Sequence, residues 1–192
     1  MDLIFASQNQ SKVTELKTIL PNQIQVKSLL DIGFIDDIEE HAQTIEGNSL
    51  IKAKYIYERF KVNCLSDDTG LEVEALDGQP GVLSARFAGK EASSTDNIDK
   101  LLFLLRGHKN RKARFKTVMT LILNGEVHQF EGLVFGSISY KEIGGNGFGY
   151  DSIFIPDGWS LSFAQMKAIE KNKISHRYLA LNKVCDFISR IA

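Results

Sequence analysis

The residues best suited to chemistry are Ser66-Asp67-Asp68-Thr69-Gly70, directly after the apolar-leaning run Lys61-Val62-Asn63-Cys64-Leu65. Two adjacent carboxylates, a hydroxyl and a glycine are expected here where a short strand runs out into a loop. Carboxylates are costly to bury unless something positive meets them. A divalent cation would serve, and hard oxygen ligands favour magnesium over zinc. An ordinary acidic turn favours the same residues, so the stretch has to be weighed with the rest of the chain.

Three other groups bear on that choice. Ser7-Gln8-Asn9-Gln10-Ser11-Lys12 separates the apolar Leu3-Ile4-Phe5-Ala6 from Val13, Leu16, Ile19 and Leu20 at helical spacing, with Pro21 expected to stop the helix. Strand, polar loop and helix in that order aim backbone N–H groups and a helix dipole at an anion. Ser7, Asn9 and Lys12 add side-chain donors, although a plain polar connection has the same composition. Gly144-Gly145-Asn146-Gly147-Phe148-Gly149-Tyr150-Asp151 is a glycine-rich loop whose backbone can approach a ligand, with Phe148 or Tyr150 available to stack on a base. Ser175 fits the N-cap of a terminal helix and places His176 and Arg177 in its first turn. Positive charge there opposes the helix dipole, so a ligand accounts for the pair better than stability does. The run Asp36-Asp37-Ile38-Glu39-Glu40 is either a solvated face or the source of a further carboxylate for the same metal.

Composition narrows the function classes. A formal net charge of −1 over 192 residues does not attract polyanions, which argues against a nucleic acid polymer as partner. The loop at Ser7–Lys12 is not GxxxxGK[ST], and Gly145, Gly147 and Gly149 do not fit GxGxxG. The histidines show no zinc spacing, and Cys64 and Cys185 form no CxxC pair, so a reduced cytoplasmic protein is the simpler expectation. The apolar run at Leu3–Ala6 is too short for a signal peptide, and no stretch reaches membrane-spanning length. The length suits one domain, or two small lobes sharing a cleft.

The elements that must position these groups follow from periodicity. Beyond the first strand and helix, a second strand is expected within Ile24–Leu30. A helix is expected over Asn48–Phe60 with Leu50, Ala53, Ile56, Tyr57 and Phe60 buried. Lys52 and Lys54 lie on different faces of it, so at most one points into a cleft. Leu71–Leu76 alternates as a strand, and Asp77-Gly78-Gln79-Pro80-Gly81 is a turn. Ile98–Leu105 reads as a helix capped by Ser94 or Thr95. Ala113–Leu123 and Glu126–Ser139 flank Asn124-Gly125, a strong hairpin signal, and are expected to reach out from the main sheet as scaffold. A strand at Ser152–Ile155, a short helix at Ser162–Ile169 and a terminal helix buried through Leu181, Val184, Ile188 and Ile191 complete the chain.

Taken in order, the motifs resemble the inosine triphosphate pyrophosphatases, which hydrolyse non-standard purine nucleoside triphosphates. The resemblance covers nearly the whole chain. Its marks are Ser7-x-Asn9-x-x-Lys12, Thr44-x-x-x-Asn48, Ser66–Leu71, Gly78-x-Pro80-Gly81, Ser84-Ala85-Arg86, Gly147–Asp151 and Ile174–Arg177. It implies a mixed α/β fold, with an elongated central sheet, flanking helices and two lobes around a deep nucleotide-binding cleft, as a single domain over 1–192 and a homodimer. It also implies Mg²⁺-dependent hydrolysis of ITP, dITP and XTP to the monophosphate and pyrophosphate. Asp68 matches the proton acceptor and a metal ligand, and Glu39 the other metal carboxylate. Ser7, Gln8, Asn9, Gln10, Ser11 and Lys12 match the phosphate loop. Thr69, Phe148, Gly149, Tyr150, Asp151, Lys171, His176 and Arg177 match the remaining substrate contacts. Ser152 stands where proline is usual, Thr69 where serine is, and Gln165-Met166 where an acidic residue and leucine are common.

The implied chemistry suits the residues. Cleaving a triphosphate between α- and β-phosphates calls for a cation and for charged donors on the leaving pyrophosphate. Lys12 is the natural donor, with Lys52 and Arg86 open. If Asp68 both binds metal and activates water, its pKa in that state must be low. Backbone N–H groups at the helix start, with Arg177 as a further donor, would donate to a 6-carbonyl and leave an adenine amine facing donors. A related enzyme acting on a modified pyrimidine, or a nucleotide sensor without turnover, are the competing readings; Asp68, Glu39 and Lys12 together argue against the sensor.

Overall fold

Leu3, Ile4 and Phe5 form strand β1 (Asp2–Phe5) in the computed structural model, which describes residues 2–20 and 24–191 except the side chains at 10, 11, 15 and 18. Pro21 lies outside the described residues. The polar loop then leads into α1 (Gln10–Ile19), and β2 (Gln25–Ser28) pairs parallel with β1. Next comes α2 (Ile45–Phe60), whose N-cap Thr44 accepts a hydrogen bond from the Gly47 N–H. A Cβ on Gly47 would come within 2.6 Å of the Ala42 Cβ, so glycine lets the preceding acidic segment close on the helix start. The face that α2 buries is partly polar: Asn48, Ser49 and Lys52 are buried with Ile45, Ala53 and Ile56, whereas Leu50 is only half-buried and Lys54 is exposed.

β3 (Cys64–Val73) is a ten-residue strand, so Ser66–Gly70 lies inside it and not where a strand runs out. It is followed by β4 (Pro80–Gly81), α3 (Ser94–Leu104), β5 (Lys112–Leu123), β6 (Glu126–Ile138), β7 (Phe154–Pro156), α4 (Ala168–Ile174) and α5 (His176–Ile191). α3 is capped by Ser93, one residue before the expected caps, in a capping box with Asp96. Asn124 (φ 52°) and Gly125 (φ 91°) make the left-handed two-residue turn expected between β5 and β6. The hairpin does not reach out, however, because β5 lies between β3 and β6 in the sheet. The architecture is mixed α/β with a central sheet and flanking helices.

The chain divides into two compact units, each discontinuous in sequence: Met1–Asp68, Thr117–Gly132 and Arg177–Ala192 form unit 1, and Thr69–Lys116 and Leu133–His176 form unit 2. In unit 1 the strand order is β2-β1-β3-β5-β6. Successive strand side chains point to opposite faces, and two cores result. Leu3, Phe5, Leu65, Met119 and Leu121 pack against α1 and α5 through Val13, Leu16, Leu181 and Val184. Ile4, Ala6, Cys64 and Ile122 pack against α2 through Ala53 and Ile56. Ile191, expected in the core, is exposed at the end of α5. Unit 2 is held by rings: Phe115 meets Phe154 edge-on at 4.7 Å and stacks on His176 at 4.7 Å, with Phe163 against both phenylalanines. There the expected helix at Ser162–Ile169 is split into a 3-10 turn at Phe163–Gln165 and α4.

Candidate functional site

The alternation along β3 separates the two aspartates. Leu65 and Asp67 face α1 and α5, while Cys64, Ser66 and Asp68 face α2, as their partners show. Asp67, 1% exposed, sits between two cations: Lys12 Nζ of α1 donates to Oδ1 at 3.0 Å and Arg177 Nε of α5 to Oδ2 at 3.3 Å. Burial alone would raise the Asp67 pKa, but Lys12 and Arg177, with Lys52 behind them, outweigh it and hold the carboxyl well below the usual range. Lys12 is pulled below the ordinary lysine value, because burial and the competing charges of Arg177 and Lys52 exceed its attraction to Asp67. Asp67 therefore supplies much of the counter-charge that the first turn of α5 was expected to need from a ligand.

Asp68 has a different environment. Its Oδ1 lies 3.6 Å from Lys52 Nζ, while Oδ2 is buried with no hydrogen-bond partner among the described residues. Burial pushes its pKa up, with Glu40 and Asp67 adding to the rise and Lys52 and Lys12 opposing it, to about 6. The low value expected of a metal-bound carboxylate is thus not what the protein alone imposes. Lys52 also donates to Glu40 Oε1 at 2.9 Å. Burial works against its ammonium, but the carboxylates of Asp68, Asp67 and Glu40 prevail and raise its pKa. Glu39 is exposed, and the carboxylate brought to Lys52 is its neighbour Glu40. Asn48 Oδ1 accepts from the Ala42 N–H at 2.9 Å and ties the acidic segment to α2. Sequence left Lys52 open as a phosphate donor and did not separate Glu40 from the acidic run; the usable signal is that Asn48, Ser49 and Lys52 share one helix face at spacings of three and four.

The loop before α1 is ordered by its own side chains. Ser7 Oγ accepts from Asn9 N–H at 3.2 Å, Asn9 Oδ1 accepts from Lys12 N–H at 3.3 Å, and Gln8 Nε2 donates to the Ile35 and Asp36 carbonyls. The side chains of Gln10 and Ser11 lie outside those described.

In unit 2, Asp151 Oδ2 accepts from Lys171 Nζ at 2.6 Å and from the Phe148 N–H at 2.8 Å. The Lys171 ammonium lies 5.0 Å from the Phe148 ring centroid. A Cβ at Gly147 (φ 82°) would collide with the Asp151 carboxylate, so glycine is required there twice over. The Phe148 ring is half exposed, whereas Tyr150 is buried and donates to the Ser84 carbonyl at 2.9 Å. Gly149 and Thr69 are half-buried, and His176 is buried against Phe115. Arg86 ends a 3-10 turn in which Ser84 Oγ receives the Leu71 N–H. Ser152, the departure from proline, is tied to Glu142 at 2.7 Å, and Gln165 caps the turn at Ser162. A cavity of about 590 Å³ lined by Glu72, Arg114, Phe135 and Asp157 holds none of the expected site residues.

The sequence model of the Ham1 family matches residues 3–187. The chain belongs to the Ham1 family. A dITP/XTP pyrophosphatase of Flavobacterium psychrophilum is 49% identical over 187 residues, 97% of this chain and 98% of that protein. One from Porphyromonas gingivalis is 46% identical, covering 97% and 96%. Among solved structures, the Staphylococcus aureus Ham1 protein superposes with a TM-score of 0.93 at 35% identity over all of both chains. A nucleoside-triphosphatase / dITP/XTP pyrophosphatase from Mycobacterium abscessus gives 0.81 at 36% identity, covering 96% and 98%. The resemblance read from the motifs and the mixed α/β fold with flanking helices are borne out. Among the described residues no helix is long and apolar enough to cross a membrane.

Proposed function

We propose that this protein hydrolyses the non-standard purine nucleoside triphosphates ITP, dITP and XTP to the monophosphate and pyrophosphate. The observation that carries the proposal is Asp68: a carboxylate with one oxygen near Lys52 and the other buried without a partner among the described residues, in a chain close to half identical to named dITP/XTP pyrophosphatases. Water attacks the α-phosphorus in line, its proton passes to Asp68, and the bond to the bridging oxygen breaks so that pyrophosphate leaves with the electron pair. Lys12 and Lys52 donate to phosphate oxygens, and each such charge-assisted bond contributes about 1.5–3 kcal/mol.

The donor set fits a magnesium ion. Among the described residues no three His, Cys, Asp or Glu side chains gather as a metal cage, and magnesium is commonly held by one or two carboxylates, substrate phosphates and water. Asp68 Oδ2 and Glu39 are the proposed ligands, with Glu40 beside them on Lys52. When bound, the ion neutralises phosphate charge and makes water more acidic. Ser7 to Lys12 are proposed phosphate contacts. Thr69, Phe148–Asp151, Lys171, His176 and Arg177 are proposed nucleotide contacts, with the Arg177 guanidinium oriented by Asp67 and reading the 6-carbonyl. We further propose one functional domain over 1–192, acting as a cytoplasmic homodimer.

A steady-state panel of dITP, XTP, dGTP, dATP and a modified pyrimidine triphosphate, with pyrophosphate detection, tests the proposal. Expected are turnover of dITP and XTP and its loss in Asp68→Asn. A pyrimidine preference, or tight dITP binding without turnover, refutes it.

A further inference from the structure

Three buried hydroxyl side chains and the exposed Gln129 link α2 to the sheet of unit 1, on the helix face that also buries Asn48 and Lys52. Gln129 Nε2 donates to Thr120 Oγ1 at 3.0 Å and to the Glu46 carbonyl at 3.0 Å. Thr120 Oγ1 lies 2.8 Å from Ser49 Oγ, which lies 3.1 Å from Ser66 Oγ. Ser66 Oγ donates to the Ser49 carbonyl at 2.6 Å. The three hydroxyl residues are 0% exposed.

The ends of this chain fix its direction. An amide nitrogen only donates and a carbonyl only accepts, and the Glu46 carbonyl sets which end of the Gln129 amide is nitrogen. Each hydroxyl has one hydrogen. The Thr120 hydrogen therefore goes to Ser49, that of Ser49 to Ser66, and that of Ser66 to the Ser49 carbonyl, with none left over. The apolar contacts around it, through Ala53, Ile56, Cys64 and Ile122, are non-directional and allow small slides. A chain of buried hydroxyls with every hydrogen placed instead specifies one arrangement.

What it specifies is the base of the proposed catalytic pair. Ser49 precedes Lys52 by three residues on the same helix face, and Ser66 precedes Asp68 by two on the same strand face. We propose that Ser49, Ser66 and Thr120 are positioning residues that lock α2 to β3 and β5 and thereby set the Lys52 ammonium against Asp68; this rests on the pyrophosphatase reading above. The strand that looks like plain scaffold in sequence thus carries a residue that tunes the site.

The test is kinetic, with dITP as substrate. Thr120→Val keeps the shape and removes the hydroxyl, and Ser49→Ala breaks the same chain from α2. Each is expected to lower kcat about 10–100-fold, the scale of a sub-ångström misplacement, while KM changes less than about threefold. Thr120→Ser, which keeps the hydroxyl, is expected to recover most of kcat. In a Lys52→Met background, Thr120→Val is expected to have almost no further effect on kcat, since positioning and positioned group act as a unit. Urea midpoints measured alongside separate misfolding from misplacement. Unchanged kcat in both variants, or losses that multiply with that of Lys52→Met, overturn the inference while leaving the pyrophosphatase reading intact. A parent with no dITP turnover overturns both.

Discussion

Replacing Asp68 by asparagine should make the metal-free protein more stable at neutral pH, although it removes the proposed catalytic base. In the folded chain burial pushes the Asp68 carboxyl to about 6, against about 3.9 for an unfolded aspartate. Between those values the folded state keeps a proton that the unfolded state has lost. Stability then falls as pH rises from about 4 and levels off above about 6. A difference of about two units corresponds to about 3 kcal/mol, since each unit is worth about 1.4 kcal/mol. The side chain is only 13% exposed, so solvent screening removes little of this. The asparagine amide cannot ionise and escapes the penalty. Urea unfolding of both proteins in EDTA at pH 4, 6 and 8 should show their stability difference moving by about 3 kcal/mol in favour of the asparagine variant. Saturating Mg²⁺ should narrow the gap, because only the parent has the carboxylate to bind it. Parallel pH profiles in EDTA would refute the reasoning, for they would mean that ionising Asp68 is no harder in the folded chain.

The neighbouring residue should behave in the opposite sense. Asp67→Asn leaves Lys12 and Arg177 buried without their anion and should cost about 3–5 kcal/mol at neutral pH. The Asp67 carboxyl is held below its ordinary value, so its contribution is present above about pH 4 and lost as pH falls through the folded pKa; parent and variant curves should converge on acidification. Arg177→Ala should narrow the preference for dITP over dATP by at least about tenfold, given that polar pairing of this kind discriminates by about 10⁴–10⁵; an unchanged ratio removes Arg177 from base reading. Phe148→Ala should raise KM for dITP by about 5–150-fold, from the loss of one stacking partner worth about 1–3 kcal/mol, with kcat little changed. Chelation should abolish turnover and Mg²⁺ restore it, as pyrophosphate release will show.

Local signals carried the fold further than they carried the site. Periodicity placed α1, α5 and the hairpin well, because apolar spacing and Asn124-Gly125 act through nearest neighbours. It misplaced Ser66–Gly70, since Asp-Asp-Thr-Gly has turn chemistry and low strand preference; the stretch is held in β3 between residues paired with β1 on one side and β4 on the other, with β5 alongside. The buried face of α2 escaped for a related reason. A helix face holding Asn48, Ser49 and Lys52 reads as polar and therefore exposed, yet all three are buried: Asn48 accepts from the Ala42 N–H, Ser49 meets the Thr120 hydroxyl, and Lys52 meets the Glu40 carboxylate. Partners that lie 12 to 71 residues away, as Glu40 does from Lys52 and Thr120 from Ser49, leave no trace in a local window.

The adjacent aspartates show why one strand can serve both folding and chemistry. Period-two alternation sends two residues of the same type, one bond apart in the chain, into different surroundings. Asp67 receives two cations that are themselves rooted on different helices, α1 and α5, so its carboxylate joins those helices to β3 and stays ionised. Among the described residues Asp68 pairs with Lys52, shared with Glu40, and keeps an oxygen without a partner. A carboxylate with every lone pair matched would gain nothing from a cation or a water, whereas one that is buried, underpaired and near neutral in pKa gains from either. The imbalance between the two faces is therefore the feature to perturb. Supplying Asp68 with a second fixed donor, for example by Glu40→Gln with its amide turned toward Oδ2, should stabilise the metal-free protein and slow turnover together. A gain in stability with no loss of rate would show that the unpaired oxygen has no part in the chemistry.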